Sequence, residues 1–226
     1  MDAEAEAGLV AVMTLSEDAR TLWQTAEALA LQARAVSPSA RTLPPLLFFT
    51  DPARTPDPLA TAARLPPGAG VVYRHFGTDD APQVARALRA ATRQAGVRLL
   101  IGQDTALAEQ VGADGVHLPE RDLHRSRGLR AARPDWLVTG AVHGEEALAQ
   151  AALLDAAVVS PVFQAGGASA AKPALGVARL AALCRLAPCP VYGLGGLTPA
   201  NVEQLLGTGA CGIAGVEAIQ AAFSAG

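Results

Sequence analysis

Lysine is almost missing from this 226-residue chain: of its 18 basic residues only Lys172 is a lysine, and the rest are arginine. Charge of either sign is sparse, with Asp, Glu, Lys and Arg together 17% of residues and a formal net charge of -3. With a pI near 5.8 there is no electrostatic footprint for nucleic acid or an anionic lipid surface, so no partner of either kind is expected. No stretch reaches the roughly eighteen consecutive apolar residues of a membrane span. Disorder is excluded from the other side, because half of the residues are apolar and the mean hydropathy is +0.25. The three cysteines, Cys184, Cys189 and Cys211, are odd in number, lie among apolar neighbours and lack the two-residue spacing of a zinc or redox pair. They read as buried free thiols of a reducing compartment. The amino end, Met1 to Gly8, is acidic and has neither a basic n-region nor an apolar h-region, so the expected location is cytoplasmic.

What is present is a rhythm. Residues 14–36 read as one amphipathic helix, with Thr14 and Glu17 at capping-box spacing and Glu17 and Asp18 favouring its amino end; Pro38, Pro44 and Pro45 stop it. From Leu46 onward, short runs rich in Leu, Val or Ile alternate with helical stretches of Ala, Leu and Arg. The runs are 46–50, 70–74, 98–102, 115–118, 136–142, 156–160, 190–194 and 211–215. Helical patterns fall near 57–64, 81–95, 104–111, 121–132, 145–154, 176–186, 199–207 and 216–223. Strands this continuously apolar are buried on both faces, and eight βα units in series predict a (β/α)8 TIM barrel of the α/β class. The barrel occupies 46–226 as a single domain, with 1–45 as an N-terminal helical extension that could cover the barrel's closed end or a partner's surface. An open doubly wound sheet is the other arrangement of this rhythm. Its glycine-rich signature is absent after the first strand, where Thr50-Asp51-Pro52-Ala53 stands. The longest connection, Pro161 to Gly176, is built of small residues, as either a mobile lid or a slack surface excursion would be.

In such a barrel the chemistry sits at the carboxyl ends of the strands. Strand seven ends in Gly193-Leu194-Gly195-Gly196 and strand eight in Gly212-Ile213-Ala214-Gly215-Val216, each expected to lead straight into a helix. Glycine lets backbone approach a ligand, and helix-start N–H groups favour anions, so Gly195, Gly196, Gly215 and Val216 predict a phosphate cradle. Other polar strand ends are Arg74 and His75, Gln103 and Asp104, His117 with Asp122 beyond it, and His143. A histidine there suits proton transfer near neutral pH, the alternative being a satisfied, partly buried side chain. His124 with Arg121, Arg125, Arg127, Arg130 and Arg133 reads as a solvated helix face.

The segment Val111-Gly112-Ala113-Asp114-Gly115-Val116-His117-Leu118, followed by Asp122, resembles the fourth-strand signature of the thiamine phosphate synthase and TenI (thiazole tautomerase) family. Ser160-Pro161-Val162-Phe163 and Gly195-Gly196-Leu197-Thr198-Pro199 resemble its sixth and seventh strand ends, in matching order over Leu46 to Phe223. The resemblance implies a small phosphorylated heterocyclic substrate. Synthases of the family join a pyrimidine diphosphate to a thiazole phosphate, with Mg2+ and basic groups stabilising the departing diphosphate. Their second strand ends in Gln-x-Arg-x-Lys, against Val72-Tyr73-Arg74-His75-Phe76 here; their third ends in Asn-Asp, against Gly102-Gln103. Of the two carboxylates implied for the metal only Asp122 remains, so weak Mg2+ affinity is expected. The serine of the fifth strand end is Ala141, and the phosphate-holding serine after strand eight is Glu217, an acid that would repel a dianion unless it points away or is protonated.

In the tautomerases of this family a histidine ending strand five moves the proton that aromatises the thiazole, and His143 occupies that place. The expectation placed first is therefore a divergent TenI-like enzyme with His143 as acid/base, Gly195, Gly196, Gly215 and Val216 holding phosphate, and Arg74 and His75 lining the pocket. The alternative is a working thiamine phosphate synthase in which His75, Gln103 and Lys172 take over the lost roles and Asp122 meets Mg2+. A third is a non-catalytic metabolite-binding barrel. Homo-oligomerisation is left open.

Overall fold

Strands too apolar to show either face to water must be covered on both, and the computed structural model, which describes residues 15–166 and 171–224, covers them by closing the sheet on itself. Eight parallel strands form a closed barrel in sequential order: β1 (Leu46–Phe49), β2 (Gly70–Tyr73), β3 (Arg98–Gly102), β4 (Gly115–Leu118), β5 (Leu137–Val142), β6 (Ala156–Val159), β7 (Val191–Leu194) and β8 (Gly212–Gly215). The ladder from β1 to β8 closes it, with Leu46 beside Ile213, Leu47 beside Ala214 and Phe48 beside Gly215. This is the TIM barrel expected from the sequence; the open sheet is excluded.

Alternation along each strand sorts the core into two layers. Leu47, Phe49, Val72, Leu100, Ala156, Val158, Tyr192 and Ala214 pack together inside the barrel. Leu46, Phe48, Val71, Leu99, Val116, Val138 and Ile213 pack outward with the helices. The inner layer continues into Ala40 and Leu43, next to a 3-10 turn at Pro38–Thr42, and the Tyr192 hydroxyl donates to Pro44 O at 2.6 Å. That turn, joined by Ala33 of the first helix, closes the barrel at its amino-terminal end.

The first helix, α1 (Glu17–Val36), buries Leu22, Trp23, Ala26 and Leu29 in the outer layer and packs against β1 and β8. Its cap is Ser16, whose Oγ accepts from Ala19 N and donates to Ala222 O across the chain. The capping expected of Thr14 falls outside the described residues. The remaining helices are α2 (Pro58–Arg64), α3 (Ala81–Ala95), α4 (Thr105–Val111), α5 (Ser126–Ala132), α6 (Glu145–Ala149), α7 (Gly176–Leu186) and α8 (Glu217–Ser224). Three expected helices are cut down. A 3-10 turn at Glu120–Arg125 precedes α5, another at Gln150–Leu153 follows α6, and 199–207 holds only a 3-10 turn at Val202–Leu205. The last has a visible cause. Asn201 accepts from Thr198 N and donates to Gly196 O, and such local side-chain bonds compete with helical ones.

The family-like signature around β4 is largely scaffold. Gly112 caps α4 in the left-handed region at φ +62, and Asp114 takes a two-bond fork from Arg89 (2.6 and 2.9 Å) and also accepts from Leu99 N. Asp155 repeats the device, bound by Arg130 and Val138 N. The arginines around His124 are mostly exposed, as expected of a solvated face, with Arg130 and Arg133 paired to Asp155 and Asp135 at the surface. Of the cysteines Cys211 is buried and Cys184 and Cys189 are half-buried. At Gly115 the neighbouring strand comes so close that a Cβ would lie 2.0 Å from Leu137 O. Gly115→Ala must therefore push β4 from β5 and is expected to cost about 3 kcal/mol, read as a lowered urea midpoint; an unchanged midpoint would contradict the close approach.

Candidate functional site

The carboxyl rim of the barrel is asymmetric. Above β6, β7, β8 and β1 lies a cavity of about 440 Å3, lined among others by Arg54, Arg74, Ser160, Gly195, Gly196, Thr198, Gly215, Val216 and Glu217. Its floor follows from the loop chemistry. Gly195 and Gly196 have φ of +100 and +65, and a Cβ on Gly196 would come within 2.4 Å of Gln164 O. Only glycine permits both the turn and the close packing of the β6 loop. That loop is fastened to β7 by Val162 N donating to Leu194 O and Phe163 N to Gly195 O. Residues 167–170, the middle of the expected lid or excursion, lie outside the described residues. Strand eight leads directly into α8 as expected, whereas strand seven opens into the Asn201 turn, so one helix start and not two faces the cavity.

Arg74 is the principal cation of the site. Its Nε donates to Thr50 O at 2.8 Å, and Thr50 Oγ1 receives its backbone N–H. The guanidinium lies 5.4 Å from the ring centroids of both Phe49 and Phe76. NH2 is buried and has no hydrogen-bond partner; the nearest carboxylate, Asp51 Oδ2, is 3.7 Å away. Burial pulls the Arg74 pKa down from the ordinary arginine value and Asp51 pushes back. Arg74 thus brings a partly desolvated cation to the cavity wall, a position that suits an anion.

Glu217 opens α8 at the cavity wall, where it stays charged with its carboxylate towards solvent. Arg54 grips it through Nε to Oε1 (3.0 Å) and NH2 to Oε2 (2.7 Å), and that hydrogen bonding holds the carboxyl below the usual range. The repulsion expected from the sequence is met by a neighbouring arginine.

Outside the cavity lining stand two histidine–carboxylate pairs, at the end of β5 and between the ends of β2 and β3. Glu120 Oε2 accepts from His143 N at 2.6 Å and lies 2.7 Å from His143 Nδ1. The proton is therefore on Nδ1, and Nε2 is the basic atom. His75 Nδ1 accepts from Gly77 N, and its Nε2 is 3.6 Å from Asp104 Oδ2. Neither histidine is among the cavity-lining residues. His117 is no proton carrier. It is buried, bonded to Thr139 through Nδ1 at 2.9 Å and set edge-on to Phe49, and burial, assisted by the Arg74 charge, lowers its pKa to about 3.

Of the residues expected to form the site, Arg74, Gly195, Gly196, Gly215 and Val216 share the cavity; His75, Gln103, Asp122, His143 and Lys172 do not line it. Lys172 is solvent-exposed. Gln103 is exposed with φ +65, its Oε1 taken by Arg121 NH2 at 2.8 Å, and Asp122 lies 3.9 Å from Arg125. Where Mg2+ would need carboxylate oxygens there is one acid facing an arginine and an amide engaged by another, and no group of three or more His, Cys, Asp or Glu suited to a metal occurs among the described residues. These side chains do not fit a protein-held Mg2+. Arg54 and Glu120 were missed by sequence reasoning. The one signal for Arg54 was indirect, because an acid in an anion cradle demands a compensating cation.

The profile of the family described as thiamine monophosphate synthase matches residues 49–219. The chain belongs to that family. It is 34% identical over 168 residues to the thiamine-phosphate synthase of Laribacter hongkongensis, covering 70% of this chain and 77% of that protein. The thiamine-phosphate synthase of Herpetosiphon aurantiacus is 32% identical over 179 residues, 75% of this chain and 82% of its own length. The solved thiamine phosphate pyrophosphorylase from Pyrococcus furiosus superposes with a TM-score of 0.67 over 79% of this chain and 91% of that one; at 21% identity this is a likeness of fold. Among the described residues no helix is long and apolar enough to cross a membrane.

The family histidine of β4 supplies a pH test. Its folded pKa of about 3 lies below the unfolded value, so the stability it confers is complete above about 6.5 and is lost as pH falls from there towards about 3. Between pH 6.5 and 5 the wild type should lose about 2 kcal/mol more than His117→Asn in urea unfolding. Parallel losses in the two proteins would show that His117 does not titrate this way.

Proposed function

We propose that this chain is a thiamine-phosphate synthase, joining a pyrimidine diphosphate to a thiazole phosphate. The observation that carries the reading is the half-buried Arg74 guanidinium, whose NH2 has no hydrogen-bond partner, sharing one cavity with the glycine cradle of β7 and the start of α8, an anion-seeking set suited to a reaction whose substrates both carry phosphate. In this reading the thiazole nitrogen replaces the diphosphate on the pyrimidine's methylene carbon, Arg74 receives the departing diphosphate charge, and Gly195, Gly196, Gly215 and Val216 hold the phosphate of the acceptor. The names of the relatives support it. For that reason the synthase moves ahead of the tautomerase that the strand ends had placed first. The family uses Mg2+, but the side chains at Gln103 and Asp122 offer the ion no pair of carboxylates, so no step is assigned to it.

A second reading has its own observation. The His143–Glu120 pair fixes the tautomer of a histidine at the end of β5, as thiazole aromatisation through a single acid/base would need. One experiment separates the two. Protein incubated with pyrimidine diphosphate, thiazole phosphate and Mg2+ should form thiamine phosphate, detected by mass, with kcat/KM about 100-fold lower in Arg74→Met. No product at saturating substrates, with thiazole aromatisation abolished by His143→Ala, would transfer the assignment to the tautomerase.

A further inference from the structure

The cavity wall contains an ion pair for which the family pattern has no role. Arg54 comes from the loop after β1 and Glu217 from the first turn of α8, 163 positions apart. The two partners are unequally placed: the Arg54 side chain is 21% exposed and that of Glu217 58%. The guanidinium is thus on the inner side and the carboxylate on the solvent side. Glu217 occupies the Nε and NH2 edge of Arg54, so among the described residues NH1 has no hydrogen bond, in a wall that also holds the glycine cradle. The β6 loop covers the pair, since a Cβ on Gly166 would lie 3.7 Å from Arg54 NH2 and 3.9 Å from Glu217 Oε2. An arginine clamped along one edge by a carboxylate has lost its rotamer freedom before any ligand arrives, and its other edge keeps the geometry that suits phosphate oxygens.

We propose that Arg54 is a phosphate-binding residue of this cavity and that Glu217 is its positioning residue, so that the acid at the head of α8 presents a cation to the ligand. The proposal rests on the reading of the cavity as the seat of a phosphorylated ligand and not on which bond is made there. It assigns this chain its own solution to the loss of the family's serine: a hydroxyl donor is replaced by a charged donor borrowed from the other side of the barrel seam.

The test is calorimetric titration of the full-length protein with inorganic pyrophosphate, each variant first checked for a native thermal transition. Arg54→Met should weaken binding roughly 10-fold or more, and Arg54→Lys should recover part of it. Glu217→Gln should weaken binding by less than Arg54→Met. The double variant should bind at least as well as Arg54→Met, because Glu217 without its arginine only repels, and still fall short of the wild type. A purely structural ion pair would leave Arg54→Lys, Glu217→Gln and the double variant close to wild type, and that result overturns the proposal. So do absent binding by the wild type, wild-type affinity in the double variant, and tighter binding in Glu217→Gln, the last marking Glu217 as a block. Turnover keeps the two readings apart. Thiamine phosphate formation by the wild type with unaltered pyrophosphate binding in Arg54→Met removes the role of Arg54 and leaves the synthase; weakened binding in that variant with no turnover by the wild type does the reverse.

Discussion

The seam between the first and last strands is the constraint on which the rest depends. Parallel pairing of Leu46, Leu47 and Phe48 with Ile213, Ala214 and Gly215 turns an open sheet into a barrel. It thereby brings the loop after β1 to the start of α8. Sealing that seam takes several independent contacts. Ile213 N donates to Pro45 O, Gly212 lets that backbone pass where a Cβ would lie 2.2 Å from the same oxygen, and α1 covers both strands from outside. The ladder bonds themselves are modest in net energy; the apolar area of Leu22, Trp23 and Leu29 laid over them makes opening costly.

Closure also partitions the rim. Anion-seeking groups gather over β7, β8, β1 and β2, where the glycines, Arg54 and Arg74 meet. Groups able to carry protons, His143 with Glu120 and His75 with Asp104, lie at the ends of β5 and of β2 and β3. Partly removing a guanidinium from water is unfavourable, and Arg74 is kept in place by Thr50 O, by two aromatic faces and by the charge of Asp51. Backbone tension is located at the same end of the barrel. Phe76 and Gln103, in the loops after β2 and β3, adopt positive φ without being glycine.

How much of this could be read from the chain depends on the range of the interaction involved. The strands were legible because burial on both faces leaves an unbroken apolar run, a local signal, and the glycine cradle was legible because positive φ at Gly195 and Gly196 is a local demand. The helix expected over 199–207 failed at Asn201, whose side chain bonds depend on where the β7 turn places Gly196. Arg54 was invisible because its meaning arises only when the seam closes, and Glu120 because the contact with His143 joins residues whose spacing carries no periodic mark. The most recognisable motif, around Asp114 and His117, identifies the family through its architecture: a brace for α3 and a neutral ring in the core. Lys172 drew notice by being the lone lysine, yet rarity is a property of composition, and the structure leaves it in solvent.

The plugged amino-terminal end has a kinetic meaning. With Tyr192 tethered to Pro44 and the interior filled from Leu43 up to Phe49 and Val158, the barrel is a cup without a drain. Whatever binds at the rim enters and leaves by the same opening.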